Sequence, residues 1–263
     1  MANLQAGRSF GVADRPPHHT ARPLALVTGA SEGIGRAIAL DLARHGYDVA
    51  PTDLSTETLA GTVAGIDAAG ARAVPLALDL RSEASIAAVV AAAGPFAVLV
   101  NNAAVALNKP AVEVGWADWD AVLDVNLKGT FFLTAAFARR CIDTGRPGAV
   151  VNLASTHGLT GLAGRSVYGA SKGGIIQLTR MLAIEWAERG VRVNAVAPGT
   201  VLTPSRQRML ADPERRRRML ERIPTHRFPA VEEVAAAVRY LASDEASSVT
   251  GQVLAVDGGL TAA

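Results

Sequence analysis

Tyr168 and Lys172 stand four residues apart in Y-G-A-S-K, and Ser155 stands thirteen residues before the tyrosine, after the apolar run A-V-V-N-L-A. A phenol, an ammonium and a hydroxyl can together move a proton on and off an alcohol oxygen. A free phenol has a pKa near 10, so a tyrosine serves as a base near neutrality only if that value falls by roughly 3 units, about 4 kcal/mol. A unit positive charge about 4 Å away contributes on the order of 4 kcal/mol at an effective dielectric near 20, so Lys172 is a cation of sufficient strength. An oxidised nicotinamide would be a second. Ser155 can then hold the substrate oxygen whose proton Tyr168 takes. Taken singly, these residues fit equally a buried tyrosine, a helix lysine and a strand-end serine with no joint role.

For the three groups to meet, a strand must deliver Ser155 and a helix must present Tyr168 and Lys172 on one face. Ala149 to Ala154 is apolar and β-branched enough for a buried strand. From about Val167 the apolar period turns helical, through Ala170, Ile175, Ile176, Leu178 and Thr179, which stacks Tyr168 and Lys172. Upstream, the apolar strand Leu24 to Thr28 runs at once into Gly29-Ala30-Ser31-Glu32-Gly33-Ile34-Gly35 and an alanine- and leucine-rich helix to about His45. Strand, glycine turn and helix N-terminus make a phosphate cradle, because glycines allow close backbone approach and the helix end favours negative charge. The spacing is G-x-x-x-G-x-G rather than G-x-G-x-x-G. A second strand, Asp48 to Thr52, ends at Asp53, eighteen residues past Gly35. There an acidic side chain can accept hydrogen bonds from an adenosine ribose and repel a 2′-phosphate. Asp53 can also be a turn residue or helix cap, a role open to Ser55.

The chain continues with a helix (about Thr56 to Ala69), a strand (Ala73 to Leu78), a short helix, and a strand (Ala97 to Val100) leading into Asn101-Asn102-Ala103-Ala104. Trp116 to Arg140 reads as one long helix with Asn126 inside it, and Val191 to Ala197 as a strand closed by Pro198-Gly199. A helix at Val231 to Leu241 and a strand at Val253 to Val256 complete the set. Strands alternating with helices predict parallel β-α-β units and a doubly wound sheet.

From about Leu24 to Leu260 these ordered motifs resemble the short-chain dehydrogenase/reductase family. The resemblance implies a single α/β domain of Rossmann type over 23–263, with about seven parallel strands, helices on both faces, and ligands at the carboxyl ends of the strands. It implies a catalytic tetrad of Asn126, Ser155, Tyr168 and Lys172, the asparagine's counterpart holding a water that contacts the lysine. T-G-x-x-x-G-x-G from Thr28 matches the family's cofactor loop, which assigns Gly29, Ser31, Glu32, Gly33, Ile34 and Gly35 to the dinucleotide. Asp53, Leu54, Asp79, Leu80, Asn102, Ala103, Tyr168 and Lys172 join them, as do Pro198, Gly199, Val201 and Thr203 from the P-G-x-V-x-T segment. Ala104 departs from the family's usual glycine in N-N-A-G. Asp53 and Glu32 favour NAD, since relatives that use NADP often carry a basic residue at the Glu32 position.

At 263 residues the chain supports one large α/β domain. A net charge of +2 does not argue for nucleic acid, although the pI is near 9.0. One cysteine, Cys141, excludes an intramolecular disulfide and a cysteine-clustered metal site, and fits a reducing cytoplasm. No uninterrupted apolar run approaches a membrane span, and the N-terminus lacks a hydrophobic leader core. Residues 1–22, with His18-His19, read as a flexible arm without a metal site. Residues 203–229 read as a substrate lid carrying eight arginines. That lid is either a solvated helix or an attractor for an acidic substrate or carrier.

The function expected is NAD(H)-dependent interconversion of a secondary alcohol and a ketone on a small polyol, sugar or hydroxy acid. Ser155, His157 and Tyr168 would meet the substrate, with walls from Val105, Leu159, Thr200 and Leu202. An NADPH-dependent 3-oxoacyl-carrier-protein reductase and a catalytically silent dinucleotide-binding protein are the alternatives. The resemblance implies a homotetramer, and apolar residues such as Phe131, Phe132, Phe137, Ile176 and Met181 on the two long helices, more than one sheet face needs, fit such an association.

Overall fold

Seven short runs, most of them rich in valine, leucine and alanine, form strands, of which the five inner ones are covered on both faces. They are β1 (Leu24–Thr28), β2 (Asp48–Asp53), β3 (Leu76–Ala77), β4 (Phe96–Asn101), β5 (Gly148–Leu153), β6 (Val191–Pro198) and β7 (Val253–Val256). The computed structural model describes residues 22–92, 94–203 and 211–262. The arm expected over 1–22 therefore lies outside the described residues except for Arg22, as does the first part of the lid with Arg206 and Arg208. All strands pair in parallel in the order β3-β2-β1-β4-β5-β6-β7. Chain order reverses between β1 and β4, and the crevice above that reversal is where a doubly wound sheet takes a ligand.

Eight α-helices are described: α1 (Gly33–Arg44), α2 (Ala60–Ala68), α3 (Glu83–Ala92), α4 (Trp116–Leu123), α5 (Thr130–Thr144), α6 (Ser166–Trp186), α7 (Pro213–Glu221) and α8 (Val231–Ala242). On one face of the sheet Ile38 and Leu42 of α1 and Val234, Val238 and Leu241 of α8 pack on Val27, Val100 and Val151. On the other, Val89 of α3, Leu133 and Phe137 of α5 and Leu182 and Trp186 of α6 pack on Leu26, Leu99, Val150 and Val193. This alternation is why β1 and β5 are buried at every residue.

Two elements differ from the periodicity. The strand expected over Ala73 to Leu78 is reduced to Leu76–Ala77 plus an isolated bridge between Val49 and Ala73. Pro75 stands between them and has no N–H to give the ladder, so the pairing is interrupted at the sheet edge. The long helix expected over Trp116 to Arg140 is α4 and α5 joined by a π-helical segment, Asp124–Gly129. A side chain engaged outside the helix and a close backbone approach both fall in that segment. Asn126 bonds to a loop, and a Cβ on Gly129 would strike the carbonyl oxygen of Leu80. The composite helix Trp116–Thr144 is the one helix among the described residues long and apolar enough to cross a membrane. Its Leu133, Phe137, Ala138 and Cys141 are buried in the domain core.

Candidate active site

β5 carries the chain to Ser155, which adopts extended backbone and caps the short turn Thr156–Gly158. The Ser155 hydroxyl accepts the His157 N–H at 3.1 Å, which leaves its own proton available to a ligand. The turn lies directly on α6: a Cβ on Gly158 would come within 2.7 Å of the Lys172 carbonyl carbon, and one on Gly169 within 3.0 Å of the His157 oxygen. These two glycines let the serine turn and the helix touch. As a result the His157 ring stands edge-on to the Tyr168 ring, centroids 6.2 Å apart.

Lys172 is 3% exposed, and its Nζ donates to the Leu153 carbonyl at 2.6 Å and lies 5.8 Å from the Tyr168 ring centroid. Burial lowers the lysine's pKa from its ordinary value to about 8. A largely protonated ammonium is thus held beside a half-buried phenol at neutral pH.

The Asn126 side chain points elsewhere. Its Oδ1 accepts the Val105 N–H at 2.7 Å, and its Nδ2 donates to the Val105 carbonyl at 2.9 Å and to Ser171 Oγ at 3.1 Å. Ser171 in turn donates to the Tyr168 carbonyl at 2.7 Å. Asn126 therefore staples the loop after β4 to the first turns of α6, and does so from the π-helical segment. Ser171 was legible only as the residue before the lysine; its link to Asn126 spans 45 residues and has no local signature.

The glycine turn after β1 is as close-packed as its spacing suggests. A Cβ on Gly35 would collide with the Gly29 carbonyl and lie 2.5 Å from Asn102 Nδ2, while Gly29 and Gly33 have φ of +63° and +58°. Thr28 Oγ1 accepts the N–H groups of Asn102 and Ala103, both at 3.0 Å, and Asn102 Nδ2 donates to the Thr28 and Gly29 carbonyls. β1 and β4 are thereby clamped at their carboxyl ends. Helix α1 begins with no side-chain cap bond at Glu32 and no acidic residue in its first turn. Leading N–H groups without a side-chain cap are available as anion donors. Asp53 closes β2 with one carboxylate oxygen accepting the Ser31 N–H at 3.4 Å and the other the Leu54 N–H at 2.8 Å. A half-buried carboxylate fixed beside a glycine cradle fits an adenosine ribose with its pyrophosphate on the helix end. Among the described residues no cluster of three or more metal-ligating side chains occurs.

The family model described as enoyl-(acyl carrier protein) reductase matches residues 29–261. The chain is a short-chain dehydrogenase/reductase. It is 42% identical over 240 residues to the 3-oxoacyl-[acyl-carrier-protein] reductase of Thermotoga maritima, covering 89% of this chain and 96% of that one. It is 40% identical over 242 residues to the D-threitol dehydrogenase of Mycolicibacterium smegmatis, covering 90% and 92%. A solved structure from Agrobacterium tumefaciens, assigned as a 2-deoxy-D-gluconate 3-dehydrogenase and holding NADP, superposes with a TM-score of 0.88 at 40% identity, covering 93% and 98%. Membership makes the chain an oxidoreductase that interconverts alcohols and ketones with a dinucleotide cofactor.

In this dehydrogenase the remaining expected contacts are distributed unevenly. Thr203 lies over the glycine turn, its Cγ2 3.2 Å from where a Gly33 Cβ would stand, and Gly199 N–H bonds to Val256 beside Asp257. The Leu80 and Val201 side chains are buried in the core, so either would meet a cofactor only through its backbone. Asp79 is paired with Arg81 at 2.8 Å, and this hydrogen-bonded pair holds the carboxyl below the usual carboxylate range. Ala104 has no positive φ, so a methyl group there carries no backbone strain. Val105 and Leu159 are exposed, whereas Leu202 packs with Ile223, Phe228 and Leu260. In the described part of the lid Arg217 pairs with Glu214 and Glu221, Arg218 with Glu214 and Arg227 with Glu233, while Arg216 stacks 5.3 Å from the Phe228 ring. Much of the lid's positive charge is met locally, which agrees with a solvated helix.

Proposed function

We propose that this enzyme interconverts a small polyol, sugar or hydroxy acid and its ketone with NAD(H), using Tyr168 as the proton-transferring group. The observation that carries this is the buried Lys172 ammonium beside Tyr168, with Ser155 on the adjoining turn. When bound, the nicotinamide supplies the hydride acceptor or donor. In oxidation the Ser155 hydroxyl holds the carbinol oxygen and Tyr168 Oη takes its proton; in reduction Tyr168 returns it. Lys172 favours the phenolate by its charge and offers its remaining N–H bonds to the nicotinamide ribose. Asn126 keeps the loop and α6 in register so that these groups stay aligned, and by family resemblance it would also hold the water that contacts Lys172. His157, half-buried against Tyr168, gives the substrate wall a polar group suited to a second hydroxyl or a carboxylate.

Asp53 supports NAD over NADP. A 2′-phosphate would replace a charge-assisted hydrogen bond worth about 1.5 to 3 kcal/mol by like-charge repulsion, a preference of about a hundredfold or more. Glu32, exposed at the start of α1, adds negative charge to the same loop. Steady-state kinetics with both cofactors across sugars, polyols and 3-hydroxyacyl thioesters tests the assignment. Asp53→Ser with Glu32→Arg should erase or reverse the preference. A wild-type enzyme favouring NADP would overturn the role of Asp53 and support the second reading, a 3-oxoacyl-carrier-protein reductase, which the Thermotoga relative favours.

We also infer a homotetramer in a reducing cytoplasm. Phe131, Phe132, Met181 and Ile184 are exposed on α5 and α6, whereas Phe137 and Ile176 are buried in the subunit's own core and leave the argument. A monomer by light scattering at micromolar concentration would refute it.

A further inference from the structure

Thr62, on α2, is fully buried, yet its hydroxyl bonds to no residue of its own helix. Instead Oγ1 donates to the Ala30 carbonyl at 2.7 Å and lies 3.5 Å from the Ser31 carbonyl, 32 and 31 residues away in sequence. The same two loop residues are held by their N–H groups as well. Ala30 N donates to the Thr52 carbonyl at 2.9 Å and Ser31 N to Asp53 Oδ2 at 3.4 Å. Ala30 and Ser31 are the only residues between Gly29 and Glu32, where α1 begins. In a trans peptide the carbonyl and the following N–H point opposite ways. The Ala30 carbonyl drawn inward to Thr62 therefore turns the Ser31 N–H toward Asp53, and the Ser31 carbonyl, on the same side, turns the Glu32 N–H away from Thr62 at the uncapped start of α1.

We propose that Thr62 is a positioning residue for the cofactor: its hydroxyl fixes the peptide planes that follow Ala30 and Ser31 so that the Ser31 N–H meets Asp53 while the Glu32 N–H and the leading N–H groups of α1 are left to a dinucleotide pyrophosphate. Valine would fill the same volume in this alanine- and glycine-rich helix, so packing alone does not call for a hydroxyl there. The Ala30 carbonyl, without Thr62, would be a buried acceptor lacking its side-chain donor, and a peptide flip toward the crevice would be its way to water. The inference rests on the dinucleotide reading of the glycine loop.

Isothermal titration of the full-length protein with NAD and with ADP-ribose tests it without reference to the substrate. Thr62→Val should weaken both ligands by about tenfold, and Thr62→Ser, which keeps the donor, should stay within about threefold. Amide exchange in residues 29–36 should quicken in Thr62→Val alone, since a purely structural role would lower the melting temperature without changing affinity. Equal affinity of Thr62→Val and wild type overturns the proposal, as does a tenfold loss in Thr62→Ser, and the latter result decides even if the valine variant does not fold. Wild-type protein that binds neither NAD nor NADP would instead refute the dinucleotide reading, and this inference with it.

Discussion

Replacing Lys172 by methionine should give a protein that is more stable and nearly inactive. The lysine is buried with its ammonium on the Leu153 carbonyl, and burial lowers its pKa from 10.5 to about 8. A displacement of about 2.5 units corresponds to roughly 3 kcal/mol of strain in the charged form at neutral pH. Loss of the hydrogen bond to Leu153 returns about 1 kcal/mol, so Lys172→Met should gain about 2 kcal/mol at pH 7. For a domain of this size that is a rise of about 4 to 8 °C in Tm. The pH dependence carries the sharper signature. Below about pH 8 both folded and unfolded chains hold the lysine proton, and the penalty is constant. Between about pH 8 and 10.5 the unfolded chain holds a proton that the folded chain has released, so the wild type gains stability as pH rises. The advantage of Lys172→Met should therefore shrink by about 2 kcal/mol between pH 7 and 9.5. Urea denaturation of both proteins at the two pH values measures it. A variant less stable than wild type at pH 7, or an advantage that does not change with pH, would refute the picture of a strained buried cation kept for chemistry.

Two further outcomes follow from the same geometry. Tyr168→Phe deletes only a hydroxyl, so calorimetric NAD binding should persist while turnover falls by about 10² to 10⁴; near wild-type turnover would remove Tyr168 from the mechanism. Gly35→Ala pushes a methyl into the Gly29 carbonyl and Asn102 Nδ2, and should lower stability by about 1 to 3 kcal/mol and reduce NAD affinity, as read by thermal melts and calorimetry. A variant that melts and binds as wild type would show that the cradle is not close-packed.

Much of the site was legible because its signals are local. Tyr168 and Lys172 announce themselves by helical spacing, the glycine turn by its place between an apolar run and a helix, and Asp53 by ending the next strand. What was hidden depends on contacts between distant segments. No pattern near Asn126 tells that its amide is spent on Val105 and Ser171, because both partners lie in segments 21 and 45 residues away. The shortening of β3 was readable in principle from Pro75, since its missing donor outweighs the β propensity of Val74 and Leu76. The burial of Phe137 and Ile176 was not, because a helix stripe does not say whether it meets its own sheet or another subunit.

The distribution of satisfied and unsatisfied groups explains why this scaffold suits a dinucleotide. At the carboxyl edge of the sheet, polar side chains are tied mainly to backbone: Lys172 to Leu153, Asn126 to Val105, Asn102 to Thr28 and Gly29, Thr62 to Ala30. Those bonds hold before any ligand arrives, so little ordering entropy remains to be lost on binding. The α1 N-terminus is treated differently, with neither a capping side chain nor an acidic residue to meet its leading N–H groups. An uncapped helix end next to a fixed carboxylate at Asp53 is a surface completed by a molecule carrying both phosphate and ribose hydroxyls. The side chains around the crevice are thus tied down in advance, while the donors of the α1 N-terminus are left for a ligand.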